Sequence, residues 1–490
     1  MHILKFFKIV IDNIYFMFSY FPKIFGSRAI SMYITAMVVI FMLFFNFSMK
    51  WQFYVFGLLG VIGFFKYASK YIYSWNSISS QLFTRKVFFL AFSIRIIWVI
   101  FSYWYYTRVY GDPFDPALPD AISYNATAAA VADGFWGNYL AEAWRDYVAL
   151  WYDPSDMGYQ FYLSFVYTIG FKSILFARII KALLGAYMCI LIYKIGTRNF
   201  GETVGRVAAI LCMLMPNLIY YTGVQLKELE MVFLVVLFIE RADYLIRGRH
   251  FTVFTVLPPL LIAGSLFFFR TVLGATALFA LFTSILFTSK RVMSVNKRII
   301  SMVWVIGAVA YFMGGQISNE VEVLWANKDE NQVKMNEWRA REDGGNTYAK
   351  YATGAVFAPM IFVIPFPTMV SPEKGLQENQ QLLHSGYYVK NILGFFIIFS
   401  LFTLIKHRKI KFHLLLITFI CGYLGVIALS AFAQSERFHL PVLPFLLILA
   451  AFGIINTSNK HKKIFNYYLI LMCIIIIGWN WLKLSGRGIV

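Results

Sequence analysis

Asp120 opens the stretch PDAISYNATAAAVADG, in which Ala, Ile, Tyr, Ala and Val recur at helical spacing and Pro119 stands immediately before the acid. That places a carboxylate in the cap position of a short helix, where the helix dipole favours its charged form. The same geometry suits an N-cap and a general base. Asp153 and Asp156 form a second acidic pair further along the same polar stretch. Two carboxylate sites flanking one loop suit proton abstraction supported by a second acid or by a divalent cation. The spacings D-P-F-D (Asp112, Asp115) and D-P-S-D are also ordinary turn spacings, so they specify no metal site by themselves.

Cations accompany these acids. Arg178 and Lys181 lie three residues apart on one helical face in FARIIKALLGAY. Lys227, Glu228 and Glu230 begin an apolar run, Arg270 ends another, and Arg437 and His439 precede LPVLPFLLILA. An ionisable group inside an apolar span is costly and marks a functional site, unless its side chain reaches the interface. Cations gathered at one edge of a bilayer suit a phosphate whose lipid tail lies in the membrane.

The elements that must position these groups are apolar. The chain has 490 residues, of which 60% are hydrophobic and 14% charged, against about 25% charged in soluble domains. Such a composition excludes a soluble or disordered protein and implies an all-α, multi-pass membrane protein. A span needs about 20 residues, and thirteen stretches qualify: 31–48, 51–67, 87–107, 172–196, 203–222, 228–247, 252–268, 271–288, 298–315, 388–405, 411–432, 439–456 and 463–483. The formal charge of +20 does not indicate nucleic acid, because its cations sit in short clusters between apolar runs. Clusters at 66–86, 290–298, 406–411 and 460–463 mark cytoplasmic loops. Of 24 acids, eight lie in 107–157 and nine in 316–387. Those loops are expected outside, with the N-terminus cytoplasmic and no cleaved signal peptide. The chain then reads as one membrane domain, 1–490, with a first external, catalytic loop at 107–157 and a second at 316–387.

Segment 158–170 is apolar but short, and is expected as a re-entrant or broken helix at the external interface. Segment 355–370, punctuated by Pro359, Pro365 and Pro367, is expected to lie along that interface. The four cysteines all fall in apolar runs and read as small core residues. The aromatic wealth reads as an interfacial belt, although Trp136 and Trp151 could also stack on a sugar.

The order of a span, PDAISYNATAAAVADG, and then SDMGYQFYLSFVYTIGFKSILFARIIKALLGAYMCILIYKIGTRNFG resembles the GT-C superfamily of membrane glycosyltransferases. The similarity is to the branch of the protein O-mannosyltransferases and the bacterial aminoarabinose transferases. Asp120 and Tyr124 match that branch's first-loop acid and nearby tyrosine, Ala177-Arg178 its Ala-Arg helix, and ERFHLPVLPFLLILAAFG its proline-punctuated penultimate helix. Where the family often carries a second acid, this chain has Ala121. The resemblance implies transfer of a sugar from a polyprenyl-phosphate donor to a glycan, lipid or protein acceptor, usually with inversion. It implies Asp120 as the base, and Arg178, Lys181, Arg270 and Arg437 as holders of the departing phosphate. Residues Arg339, Arg341, Tyr348 and Lys350 of the second loop would join the site or remain solvated. A bacterial cytoplasmic membrane is the expected location, and a divalent cation a possible cofactor. An O-antigen-type polymerase or ligase using a lipid diphosphate would share the loops and arginines without needing Asp120. A lipid-linked oligosaccharide flippase would place charges at the midplane, whereas here they gather at one face.

Overall fold

The computed structural model describes residues 23–116, 118–135, 154–248, 252–289, 292–313, 358–371, 381–428 and 435–485. The α-helices among the described residues are α1 (Lys23–Leu43), α2 (Trp51–Ser74), α3 (Ser80–Tyr110), α4 (Pro119–Ala130), α5 (Pro154–Ile169), α6 (Ile174–Phe200), α7 (Glu202–Leu214), α8 (Pro216–Tyr220) and α9 (Glu228–Arg247). They continue with α10 (Val253–Phe269), α11 (Thr271–Phe287), α12 (Val295–Met313), α13 (Ser385–Lys406), α14 (Leu414–Ala428), α15 (Glu436–His439), α16 (Leu443–Asn456) and α17 (Lys462–Ser485). The described chain is an all-α bundle, and each of the thirteen apolar stretches overlaps at least one helix. Among the described residues, seven helical stretches are long and apolar enough to cross a membrane: α1, α2, α3, α6, α13, the run 436–456 and α17. Helices α10, α11 and α14 are apolar but have only 15–17 residues.

Local signals explain the boundaries. The Ser79 hydroxyl accepts from the Leu82 N–H to start α3, and the Ser173 hydroxyl accepts from the Phe176 N–H to start α6. Gly111, at φ 86°, ends α3 in the left-handed conformation that glycine adopts without strain. The centre of the bundle is the pair α6 and α7, with α3, α9 and α16 packed around it. Glycines set that crossing. A Cβ at Gly196 would stand 2.8 Å from the Gly205 Cα, so the two backbones touch directly, as small residues allow between membrane helices.

Three expectations are corrected. First, 158–170 is not broken: α5 runs uninterrupted to Ile169, packed on α4 and α10. Its outer residues Phe161, Phe165 and Ile169 are exposed, while a Cβ at Gly158 would lie 2.8 Å from the Phe268 carbonyl oxygen. One edge faces outward and the other meets bare backbone. The interruption comes instead in the stretch 203–222. Pro216 has no N–H to continue α7, Met215 turns to ψ 115°, and residues 221–227 run outside regular α-helix though wholly buried. Secondly, residues 358–371 are largely buried within the protein and are not laid over its surface. Their Pro-rich backbone leaves carbonyls that need donors. Asn391 Nδ2 supplies the Val363 and Pro365 oxygens at 2.6 and 2.9 Å, and Lys390 supplies Ile364. Thirdly, Cys189 and Cys212 are core residues, but Cys421 is exposed on α14.

Replacing Gly205 by leucine should force α6 and α7 apart. The expected cost is about 1–3 kcal/mol for the added volume, read as a lower unfolding temperature of the detergent-solubilised protein. The same change at Gly425, which has open space around it, should have little effect.

Candidate active site

Asp120 lies one residue inside α4 and is not its cap. Leu118 holds the cap position and Pro119 the first helical position, which its fixed φ fits. The carboxylate is therefore in the first turn, still close to the positive end of the helix dipole, and it is free to face another element. It faces Arg437. The Asp120 Oδ2 accepts from Arg437 Nη1 at 2.9 Å, and Arg437 Nε donates to Glu228 Oε1 at 2.7 Å. The two acids differ sharply in setting, because the Asp120 side chain is 46% exposed and that of Glu228 is 0% exposed. Arg437 is thus anchored from below by a buried carboxylate and covered from above by an accessible one.

Beside this pair lies a second buried one. Lys181 Nζ stands 3.3 Å from Glu230 Oε2, both almost fully enclosed. The ammonium also donates to the carbonyl oxygens of Val224, at 2.9 Å, and Leu226. Those carbonyls belong to the irregular segment after α8, so the break in the helix supplies the acceptors that a buried ammonium needs. Burying such a charge costs several kcal/mol unless these partners are present. Lys181 also sits 5.5 Å from the Tyr159 ring, which meets Tyr124 edge-on at 5.1 Å. Tyr124 is one helical turn beyond Asp120, so α4, α5 and α6 converge here. The Tyr159 and Tyr162 hydroxyls are buried without hydrogen-bond partners among the described residues.

Arg270 stands at the junction of α10 and α11. It donates to the Tyr423 hydroxyl at 3.4 Å and lies 4.2 Å over the ring of Phe438, the neighbour of Arg437. Lys227 is buried next to Glu228 in sequence. Lys181, Lys227, Arg270 and Arg437 are four cations against the three carboxylates Asp120, Glu228 and Glu230.

Two expected residues point elsewhere. Arg178 donates from Nη2 to the Pro113 carbonyl at 2.6 Å and lies 5.9 Å over Tyr103. Its Nε and Nη1 are buried without hydrogen-bond partners among the described residues. The adjoining acid is Asp115, buried and accepting from the Tyr106 and Tyr220 hydroxyls at 2.9 and 2.7 Å. His439 Nδ1 is 2.9 Å from Lys390 Nζ, in a polar cluster where Glu436 accepts from Asn217, Tyr221 and Gln381. Asp153 lies outside the described residues, as do Arg339, Arg341, Tyr348 and Lys350. Asp156 falls in the first turn of α5, and its side chain is outside the description.

Asp115, Glu436 and Lys390 are the groups that sequence reasoning did not place in the site. Glu230 was singled out as one of the acids that open α9 but not paired with Lys181, and nothing local ties Lys390 to His439. No group of three or more His, Cys, Asp or Glu able to hold a metal occurs among the described residues. Asp120 offers an ion one carboxylate, already engaged with Arg437.

No family model and no curated protein matches the chain. Solved structures do. An archaeal oligosaccharyltransferase from Archaeoglobus fulgidus, in complex with an inhibitory peptide and a dolichol-phosphate, is similar over 84% of this chain and 56% of its own, with 12% identity and a TM-score of 0.42. The Archaeoglobus fulgidus oligosaccharyltransferase in the apo form gives 82% and 56%, 14% identity and a TM-score of 0.40. The same enzyme in complex with Zn and sulfate gives 69% and 45%, 13% identity and 0.33. The chain spans about half the length of these structures.

The buried pair makes a direct prediction. Glu230→Leu should destabilise the protein by about 3–5 kcal/mol, because it strands the Lys181 charge. Adding Lys181→Met should recover a large part of that loss, since an apolar pair needs no neutralisation. Unfolding of both variants in one detergent measures the difference.

Proposed function

We propose that the chain is a membrane glycosyltransferase that moves a sugar from a polyprenyl-phosphate carrier to a hydroxyl acceptor, with Asp120 as general base. The observation that carries this reading is the bridge Asp120–Arg437–Glu228. Arg437 is fixed by a buried acid, and its second partner is exposed and replaceable. An exposed ion pair contributes only about 0.2–1 kcal/mol, so the phosphate of an entering donor can displace Asp120 from the guanidinium. That exchange leaves Arg437 on the phosphate and frees the carboxylate for the acceptor.

In the reaction the acceptor oxygen attacks the anomeric carbon, the bond from that carbon to the phosphate oxygen breaks, and the acceptor proton passes to Asp120. The phosphate leaves with growing negative charge, which Arg437, Arg270 and Lys181 oppose from fixed positions. Attack from the side opposite the phosphate inverts the anomeric centre. Tyr124 and Tyr159 pack beneath Asp120, edge to face. No step is routed through a metal ion. The site belongs to the external face, with the N-terminus in the cytoplasm of a bacterial cell and the acceptor a cell-envelope glycan, lipid or protein. Loop 107–157 carries the base, and loop 316–387 covers the acceptor side.

Purified protein should transfer label from a radiolabelled polyprenyl-phosphate sugar, and Asp120→Asn should lower kcat by about 10²–10⁴-fold, the usual range for a lost general base, while folding normally. Arg437→Gln should also lower kcat. Turnover by Asp120→Asn equal to wild type would remove Asp120 as the base. Consumption of a lipid-diphosphate glycan with no transfer from any monophosphate donor would replace this reading with a polymerase.

A further inference from the structure

At the end of the bundle opposite Asp120, the last turns of α11 and α13 and the first turn of α14 leave a groove of about 750 Å³. Its walls include Thr283, Phe287, Ile405, Leu414 and Thr418, and Arg408 and Lys411 stand where the α13–α14 connection closes its upper end. Phe287 and Ile405 are both exposed, so the groove opens sideways, toward the surface that apolar helices turn to lipid. Its volume falls within the range of about 300–1,000 Å³ usual for small-molecule sites.

The charge of the α13–α14 connection is one-sided. The connection carries Lys406, His407, Arg408, Lys409 and Lys411, and no Asp or Glu occurs between Glu378 and Glu436. Three described cations on neighbouring elements are already engaged: Arg247 with Asp243 at 2.8 Å, Lys297 with the Gly248 carbonyl at 2.8 Å, and Arg298 with the carbonyls of Leu286 and Thr288 at 2.8 and 2.7 Å. The side chains of Arg408 and Lys411 make no hydrogen bond or ion pair among the described residues. Arg408 also has φ 55°, a conformation that glycine would hold without strain and that a bulky side chain resists. The loop is nevertheless pinned, because the Lys411 carbonyl accepts from the Ser289 N–H at 3.2 Å, across the groove's far wall. Two unspent cations held over an apolar groove complement a molecule with an anionic head and a hydrocarbon tail. Basic pockets between membrane helices at the cytoplasmic surface take lipids of that kind.

We propose that this groove is a binding site for an anionic phospholipid of the adjoining leaflet, with one acyl chain along Phe287, Ile405 and Leu414 and the phosphate on Arg408 and Lys411. The site is separate from the Asp120 cluster and independent of the reaction assigned to it.

Native mass spectrometry of the detergent-solubilised full chain, titrated with phosphatidylglycerol or phosphatidylcholine, tests this. The first phosphatidylglycerol should bind roughly tenfold more tightly than the first phosphatidylcholine, and Arg408→Gln with Lys411→Gln should remove the difference. Filling the groove with Thr283→Trp should weaken both lipids. Equal binding of the two lipids by wild type would overturn the proposal, as would a preference unchanged in the double variant. An equal loss from Lys462→Gln with Lys463→Gln, at the same end but outside the groove, would assign the effect to general surface charge. Inorganic phosphate competing as well as the lipid would exclude a tail-binding site. Unfolding temperatures within a few degrees of wild type establish that each variant is folded.

Discussion

A lysine ammonium buried to 1% exposure inside an apolar bundle is the constraint from which the site follows. Lys181 needs an opposite charge and hydrogen-bond acceptors at the same point, and a regular helix offers no free carbonyls there. The chain meets the requirement by breaking helical continuity at Pro216, so that Val224 and Leu226 turn their oxygens to the ammonium. The restart of helix at Glu228 then places Glu228 and Glu230 together at the positive end of α9, which favours two acids. Glu230 faces Lys181, and Glu228 faces Arg437. The arginine, so fixed, reaches Asp120 across the bundle.

Much of this was legible in the sequence. Hydropathy located most of the longer helices of the bundle, though not α4 or α5, and the acids and cations of one end were recognisable because charges in apolar runs are rare. Asp120, Lys181, Glu228, Arg270 and Arg437 were all identifiable one by one. Their pairing was not. Arg437 meets Asp120 across a separation of 317 residues, and no local pattern encodes which cation of a set faces which acid. The partner of Arg178 was equally illegible. The spacing of Arg178 from Lys181 put both on one face, yet a turn of helix separates a side chain directed to Pro113 from one directed to Glu230.

The misplaced break is instructive in another way. Short apolar length suggested that 158–170 was re-entrant or broken; α5 is unbroken, and the discontinuity fell in a stretch whose hydropathy was that of an ordinary span. Hydropathy measures burial and says nothing about whether a buried backbone is helical. Pro216 was the available signal. Its weight depends on Lys181, which is distant in sequence and supplies the donor that makes the broken backbone tolerable.

The backbone contact at Gly158 sets how the chain can vary. On the outward edge of α5, Phe161, Phe165 and Ile169 can be exchanged for other apolar residues with little consequence for the interior. At position 158 the allowance is a single hydrogen atom, because the Phe268 carbonyl occupies the space beyond it. Tyr159, the next residue, carries its ring to Tyr124 and Lys181. Divergent copies of this chain are therefore free to drift along one side of this helix, while one small residue on the other side holds the ruler by which the site is measured.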